Sequence, residues 1–98
     1  MKNFLVLYDI SDNKIRNNVV KILKANGLYR IQKSVFLGAC PPENMMELQK
    51  RFENYLTEQE NDSYIILALD EYNIQKIKLL NIDLDIKKIL GRKAVHFI

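Results

Sequence analysis

Two stretches of the sequence are apolar at almost every position, which is the pattern of a strand buried on both faces. The first covers residues 3–9 and the second residues 64–69, and an aspartate, Asp9 or Asp70, stands at the end of each. Because a strand of this kind must be covered on both sides, we expect packing layers on both faces of its sheet.

Two other segments have the spacing of amphipathic helices. Asp12, or Ser11 just before it, can cap a helix that runs through about Ala25, and Gly27 can take the positive φ of a helix end. A second helix begins at residues 41–42, where two prolines favour a helix start. The expected core positions are Ile15, Val19, Ile22 and Leu23 in the first helix, and Met45, Leu48, Phe52 and Tyr55 or Leu56 in the second.

Residues 28–37 have the alternating pattern of strands, and a bend near Lys33 can divide them into two. One parity carries Tyr29, Ile31, Val35 and Leu37; the other carries Leu28, Arg30, Gln32, Ser34 and Phe36. The second parity therefore places a cation, hydrogen-bonding groups and an aromatic ring on one side. Two interpretations stay open: a half-exposed sheet face, or a surface that meets nucleic acid or a second subunit.

The order of these elements is β-α-β-β-α-β, which predicts an α+β, ferredoxin-like fold with two helices over one face of a four-stranded antiparallel sheet. We expect a single domain over residues 1–98, with a core of about 3–70. Residues 71–90 mix helical and alternating spacing and receive no assignment. Residues 94–98 predict a short additional strand, which can extend its own sheet or pair with a partner's edge.

Size favours a homodimer, because a chain of 98 residues buries only about 60–65% of its unfolded surface and gains stability from a partner. The carboxy-terminal extension, residues 71–98, is expected to contribute to that dimer. The amino terminus lacks the pattern of a signal peptide and no apolar run reaches the length of a membrane span, so we expect a cytoplasmic protein with no membrane partner. Cys40 is the only cysteine, which excludes an intramolecular disulfide and indicates a reduced, buried side chain.

The net charge is +3, but the charged residues are distributed unevenly along the chain. Residues 1–40 carry seven Lys or Arg against two acids, residues 41–70 carry two against seven, and residues 71–98 carry six against three. The two terminal segments can form a cationic face of the kind that phosphate backbones require. The alternative is that these charges are solvated helix faces.

Asp9 is the first candidate for chemistry. It places a carboxylate at the end of a buried strand, and a helix with four cations follows: Lys14, Arg16, Lys21 and Lys24. This combination suggests phosphodiester chemistry, although an aspartate in such a position is also a common helix cap.

Four features in one order carry a family resemblance. They are Tyr8-Asp9-Ile10 at the end of the strand, Arg16 in the helix, Gly27 after it, and the run from Arg30 to Phe36, which fits the pattern R-x-Q-x-S-V-F. Over roughly residues 3–69 the chain resembles the Cas-two family of CRISPR-associated proteins, the small subunit of the spacer-acquisition machinery. Residues 71–90 are longer and more apolar than the family's link to its last strand.

The resemblance implies a homodimer whose sheets face each other and whose last strand joins the partner's sheet. It implies one of two roles: a metal-dependent endonuclease acting on single-stranded RNA or double-stranded DNA, or a non-catalytic bridge between dimers of the Cas-one integrase. On the enzymatic interpretation, Asp9 of each subunit meets near the dimer axis and the pair holds Mg²⁺, with Mn²⁺ equally suited to oxygen ligands. A third alternative is a toxin-like ribonuclease resembling virulence-associated protein D.

The resemblance also implies individual roles. Tyr8 flanks the metal site, Ser34 and Phe36 shape the active cleft, and Arg16 and Arg30 contact phosphates. On the bridging interpretation, the duplex backbone is gripped by Lys14, Arg16, Lys21, Lys24 and Arg30. Structural alternatives remain: Tyr8 as a packed aromatic, Arg16 paired with Asp12, Phe36 in the core or an interface, and His96 as packing rather than a general base.

Overall fold

The computed structural model describes residues 1–86 and Ile89. A four-stranded antiparallel sheet with the strand order β2-β3-β1-β4 carries two long helices on one face. The prediction of an α+β, ferredoxin-like fold is confirmed. No helix in this described part of the chain is long and apolar enough to cross a membrane. The elements are β1 Lys2–Asp9, α1 Asn13–Ala25, β2 Tyr29–Gln32, β3 Val35–Cys40, α2 Pro42–Leu56, β4 Ser63–Leu69 and the short α3 Glu71–Gln75.

The ends of α1 follow from local chemistry. Asp12, not Ser11, is the cap, since its Oδ1 accepts a hydrogen bond of 2.9 Å from the backbone N–H of Ile15. At the other end Gly27 has a φ of 88°, a conformation that glycine adopts without steric cost. The predicted bounds of α1 are therefore confirmed, and so is the division of residues 28–37 into two strands.

The main core lies between the sheet and the helices. Alternate β1 side chains, Phe4, Val6 and Tyr8, pack against the apolar stripes of α1 and α2. All of the predicted helix core positions belong to this cluster. Cys40 is also buried here, and burial together with the nearby Glu43 raises the pKa of its thiol, so the side chain stays protonated.

The opposite face of the sheet is covered in part by the chain that follows β4. Asp70 caps α3 by accepting a hydrogen bond of 2.8 Å from the backbone N–H of Asn73. The segment then packs on Leu37, Leu5 and Leu69 of the sheet. We call this segment the C-terminal cover; its packing residues are Ile74, Ile77, Leu84, Ile86 and Ile89. The predicted strand at residues 94–98, with His96, lies outside the described residues.

The cover leaves part of this face exposed. Ile65 and Leu67 on β4 are 61% and 49% exposed, although both are large and apolar. Leu7, which is half-buried, pairs across the sheet with Ile65 on one side and Val35 on the other. We call these four residues, Leu7, Val35, Ile65 and Leu67, the open apolar patch. The expectation of layers on both faces is thus met only in part by the residues that the structure describes.

Candidate active site

Asp9 lies at the border of the open apolar patch. It is the last residue of β1, pairs with Ser63 of β4, and is exposed. Since side chains alternate along a strand, Asp9 shares a face with Leu5 and Leu7, opposite the helices. The carboxylate therefore lies at the edge of an apolar surface that residues 1–86 and Ile89 leave exposed.

Side chains fix the loop that follows Asp9. Ser11 donates from its backbone N–H and its Oγ to Oδ1 of Asp62, over 3.1 and 2.7 Å. Arg16 donates from Nη1 to the carbonyl oxygen of Ile10 over 3.1 Å, and from Nη2 to Oδ1 of Asn13. The guanidinium of Arg16 thus supports the loop next to Asp9.

The suggested pairing of Arg16 with Asp12 is wrong. Asp12 caps the helix, and the Arg16 guanidinium donates instead to the Ile10 carbonyl oxygen and to Oδ1 of Asn13.

Tyr8 belongs to a second group of side chains, on the helix side of the sheet. Its hydroxyl donates to the carbonyl oxygen of Lys33 over 3.3 Å, and Arg30 donates to the same oxygen from Nε and Nη2, over 3.1 and 2.7 Å. Burial raises the pKa of Tyr8, and the charges of Arg30 and Arg16 and a hydrogen bond with Ser34 only partly oppose this. The phenol is therefore neutral at physiological pH and acts as a donor.

Phe36 lies beneath this group and is fully buried. Its ring packs beside that of Tyr8, with 6.3 Å between centroids, and the guanidinium carbon of Arg30 lies 6.0 Å from its centroid. The alternative that Phe36 is a core residue is confirmed: its ring supports Tyr8 and Arg30 from below. Ser34 is half-buried in the turn, and a role of the two residues in shaping a cleft stays a prediction.

The candidate residues therefore form two groups at one end of the sheet. Tyr8, Arg16, Arg30, Ser34 and Phe36 are brought together on the helix side, and Asp9 stands on the other face. A third set of candidate residues lies on α1 itself. Its members Lys14, Lys21 and Lys24 are all exposed, and α1 contains no acid. Residues 14 and 21 are two turns apart, so they share one face of the helix.

The described residues of one chain hold only part of a donor set for a metal. Within residues 1–86 and Ile89, no three His, Cys, Asp or Glu side chains are grouped so that they could hold a metal ion. A carboxylate such as Asp9 suits Mg²⁺ or Mn²⁺, which prefer oxygen ligands. The residues fit such a metal only if a second carboxylate comes from another copy of the chain.

The family model described as CRISPR associated protein Cas2 matches residues 1–77. This chain belongs to the Cas2 family. The recognition made from the Arg30–Phe36 run and the Tyr8-Asp9-Ile10 strand end is thereby confirmed. The match ends within the C-terminal cover, so much of the cover lies beyond the part that the family model describes.

Individual relatives agree with this assignment. The chain is 39% identical over 66 residues to the "CRISPR-associated endoribonuclease Cas2 2" of Pyrobaculum aerophilum, covering 67% of this chain and 71% of that protein. It is 47% identical over 47 residues to a "CRISPR-associated endonuclease Cas1/endonuclease Cas2 fusion" of Thermoproteus tenax, covering 48% of this chain and 18% of the fusion. The crystal structure of Streptococcus pyogenes Cas2 superposes with a TM-score of 0.68 at 23% identity, covering 81% of this chain and 99% of that chain, and so shares the fold.

Sequence reasoning missed Ser11 and Asp62 as partners. The predicted topology gave a partial signal for this contact, because a ferredoxin-like sheet places β1 beside β4. A serine just after β1 then lies near an aspartate just before β4. Their side-chain contact within this Cas2 fold could not be deduced from spacing alone, since the turn before β4 has no distinctive pattern.

Removing the Phe36 ring tests its structural role. We expect Phe36→Ala to lower the free energy of unfolding by about 3–5 kcal/mol, the usual cost of deleting a buried phenyl ring. Urea denaturation followed by circular dichroism measures this change. Met46→Ala is the control, since Met46 is 62% exposed and its truncation should change little. A Phe36→Ala midpoint equal to wild type would contradict the assignment of Phe36 to the core.

Proposed function

We propose that this chain is a metal-dependent endonuclease of the CRISPR adaptation system and that it acts as a homodimer with one Asp9 from each copy. The observation that carries the proposal is the position of Asp9, exposed at the border of the open apolar patch. A carboxylate in that position can meet its counterpart when two patches pack together.

The patch supports the dimer. Exposed apolar side chains at neighbouring strand positions, such as Ile65 and Leu67, are typical of a surface that a partner covers. In a twofold dimer the same surface is used by both copies, so a residue near the axis meets itself. Burying the patch against its copy would also complete the second packing layer that the apolar strands require.

A pair of Asp9 carboxylates accounts for the metal. Two like charges close together repel, and a divalent cation between them offsets the repulsion. When bound, Mg²⁺ supplies an oriented water and stabilises negative charge on the phosphate. The chain's own contributions are the two carboxylates, the loop bonds that hold them, and the cations that attract the nucleic acid.

RNA is the proposed substrate class, with duplex DNA as the alternative. The similarity to the Pyrobaculum endoribonuclease favours RNA. Arg30 is exposed beside the β2–β3 turn, where its guanidinium can reach a phosphate while it keeps its bonds to the Lys33 carbonyl. Phosphate contacts of this kind do not distinguish ribose from deoxyribose.

Cleavage of end-labelled single-stranded RNA and duplex DNA, with Mg²⁺ or with EDTA, tests the proposal. We expect cutting of RNA that requires the metal and stops with EDTA. If neither substrate is cut while the protein remains a folded dimer, the nuclease assignment is wrong.

A second candidate is a nucleic-acid-binding bridge to a Cas1 integrase, and one observation favours it. The Thermoproteus relative carries Cas1 and Cas2 in a single chain, which suggests that the two act together. On this alternative the basic face of α1 holds a duplex, and Asp9 is not needed.

Charge reversal on α1 tests the binding surface. We expect the triple variant Lys14→Glu, Lys21→Glu and Lys24→Glu to weaken duplex binding by about a hundredfold or more at low salt. Each lost phosphate contact should also reduce the slope of log K against log salt by about one. Fluorescence anisotropy over a salt series measures both quantities.

The matched control reverses three acids on the neighbouring helix: Glu43→Lys, Glu47→Lys and Glu53→Lys. This variant reverses the same number of helix charges as the α1 variant, and its duplex binding should not weaken. Binding that survives reversal of the α1 lysines with an unchanged salt slope would remove α1 as the nucleic-acid surface.

A further inference from the structure

Asp62 holds the loop after Asp9 from across the sheet. Its Oδ1 accepts both the backbone N–H and the hydroxyl of Ser11, two residues beyond Asp9 in the chain. Ser11 and Asp62 are 51 positions apart in the sequence, so this is a tertiary contact rather than a local turn. We call the pair the Ser11–Asp62 clasp.

The clasp extends the strand pairing that ends at Asp9. The register joins Asp9 to Ser63, and Asp62 is the residue immediately before Ser63. Beyond that last pair the backbone ladder stops, so the clasp is the next connection between the two strand ends. Whatever displaces the clasp therefore also loosens the end of β1 at which Asp9 stands.

Stability alone gives no reason for a carboxylate at position 62. Oδ2 of Asp62 is buried, and no hydrogen-bond donor reaches it from the described part of the chain. A buried carboxylate oxygen without a partner costs free energy, and an amide or hydroxyl could accept from Ser11 with a smaller penalty. What the carboxylate adds is a stronger hold on Ser11, since hydrogen bonds to a charged acceptor are about twice as strong as neutral ones.

We propose that Asp62 is a positioning residue for Asp9, acting through Ser11. The inference rests on the proposed function, because positioning matters only if Asp9 binds a metal. A metal ligand must be held within about half an ångström of its productive position, and a loose loop does not provide this. The clasp fixes the loop on the side of Asp9 that the β-ladder no longer restrains.

Three variants at Asp62 and Asp70 separate positioning from stability. We expect Asp62→Ala to lower kcat by about tenfold, the low end of the effect of losing a direct partner of a metal ligand, because Asp62 acts on Asp9 only through Ser11. KM should not change, since no phosphate-contacting cation is altered. Asp70→Ala is the matched control: it removes an aspartate that accepts a backbone N–H at the opposite end of β4, and kcat should stay at the wild-type value.

Asp62→Asn gives the sharpest test. It keeps an oxygen for Ser11 but makes the bonds neutral and removes the unpartnered charged oxygen. We expect kcat about threefold below wild type together with a Tm that is unchanged or higher. If the role were only structural, activity would follow stability, and a variant at least as stable as wild type would be at least as active. That result would overturn the proposal.

A double-mutant cycle tests whether Asp62 acts through Ser11. Ser11→Ala should lower kcat by less than Asp62→Ala, because the backbone N–H of residue 11 remains. Adding Ser11→Ala to Asp62→Ala should have almost no further effect. If the two substitutions lowered kcat independently, so that their fold-losses multiplied in the double variant, Asp62 would not act through Ser11.

Hydrogen exchange provides a readout that does not depend on cleavage. Asp62→Ala should speed amide exchange in residues 8–13 and leave β3 unchanged. If wild type cuts nothing, the proposed function fails, while exchange still decides whether Asp62 holds the loop. If wild type cuts normally and Asp62→Ala changes neither exchange nor kcat, the positioning role is wrong and the nuclease assignment stands.

Discussion

Asp9→Asn is expected to remove metal-dependent cleavage. Asparagine has nearly the shape of aspartate but no charge, so the strand end should be preserved while two facing side chains lose their attraction for a divalent cation. Removing outer partners of a metal ligand commonly costs about 10–100-fold, so loss of the ligand itself should cost at least about a hundredfold in kcat. Labelled RNA and duplex DNA, each with Mg²⁺ or EDTA, measure this effect, and Asp9→Ala should behave in the same way.

Asp12→Asn is the matched control for this experiment. Asp12 is an exposed aspartate three residues later, and its structural task is to cap α1, which asparagine performs about as well. Its activity should equal that of wild type. Size-exclusion chromatography must show that all variants have the same oligomeric state. Cleavage retained by Asp9→Asn at the wild-type rate would remove Asp9 from the reaction and favour the bridging role.

Ile65→Glu is expected to convert the dimer to monomers. Ile65 is 61% exposed in one chain and lies in the open apolar patch beside Leu7. A twofold interface would bury two such glutamates, and burying unpaired charge of one sign commonly costs several kcal/mol. We expect the dimer dissociation constant to rise by at least about a hundredfold, and cleavage to be lost with the dimer. Sedimentation equilibrium measures the first and the RNA assay the second.

Leu80→Glu is the control for this substitution. Leu80 is 84% exposed and does not belong to the open apolar patch, so the same change in polarity and charge should leave the dimer intact. Because Ile65 is already exposed in one chain, Ile65→Glu should not unfold the monomer, and circular dichroism checks this. An Ile65→Glu protein that remains dimeric would show that the patch is not the interface.

Much of the fold was predictable because its signals are local. The Asp12 cap, the positive φ of Gly27 and the bend near Lys33 each depend on a few neighbouring residues. Strand alternation was equally informative. Alternation along β1 already predicts that the side chains of Tyr8 and Asp9 lie on opposite faces of the sheet, although the family resemblance grouped the two residues around one site.

The rest depends on contacts that no short pattern reveals. The C-terminal cover mixes two periodicities because the short helix Glu71–Gln75 is followed by irregular chain up to residue 85, packed on a sheet face that also has to be apolar. Phe36 shares a strand parity with the polar candidates, and only the helices packed above it make it core. The Ser11–Asp62 clasp joins two positions 51 residues apart, so it emerges only from the assembled sheet.

Mixed dimers test the central claim most directly. The claim is that one active site needs Asp9 from both copies. Wild-type and Asp9→Asn chains carrying different tags are refolded together in equal amounts, and the pairing is checked by affinity capture. If both carboxylates are required, only dimers of two wild-type chains cut, and the mixture keeps about one quarter of the activity of the same total amount of wild type. Activity of about one half, falling linearly with the fraction of Asp9→Asn chains, would contradict the shared site.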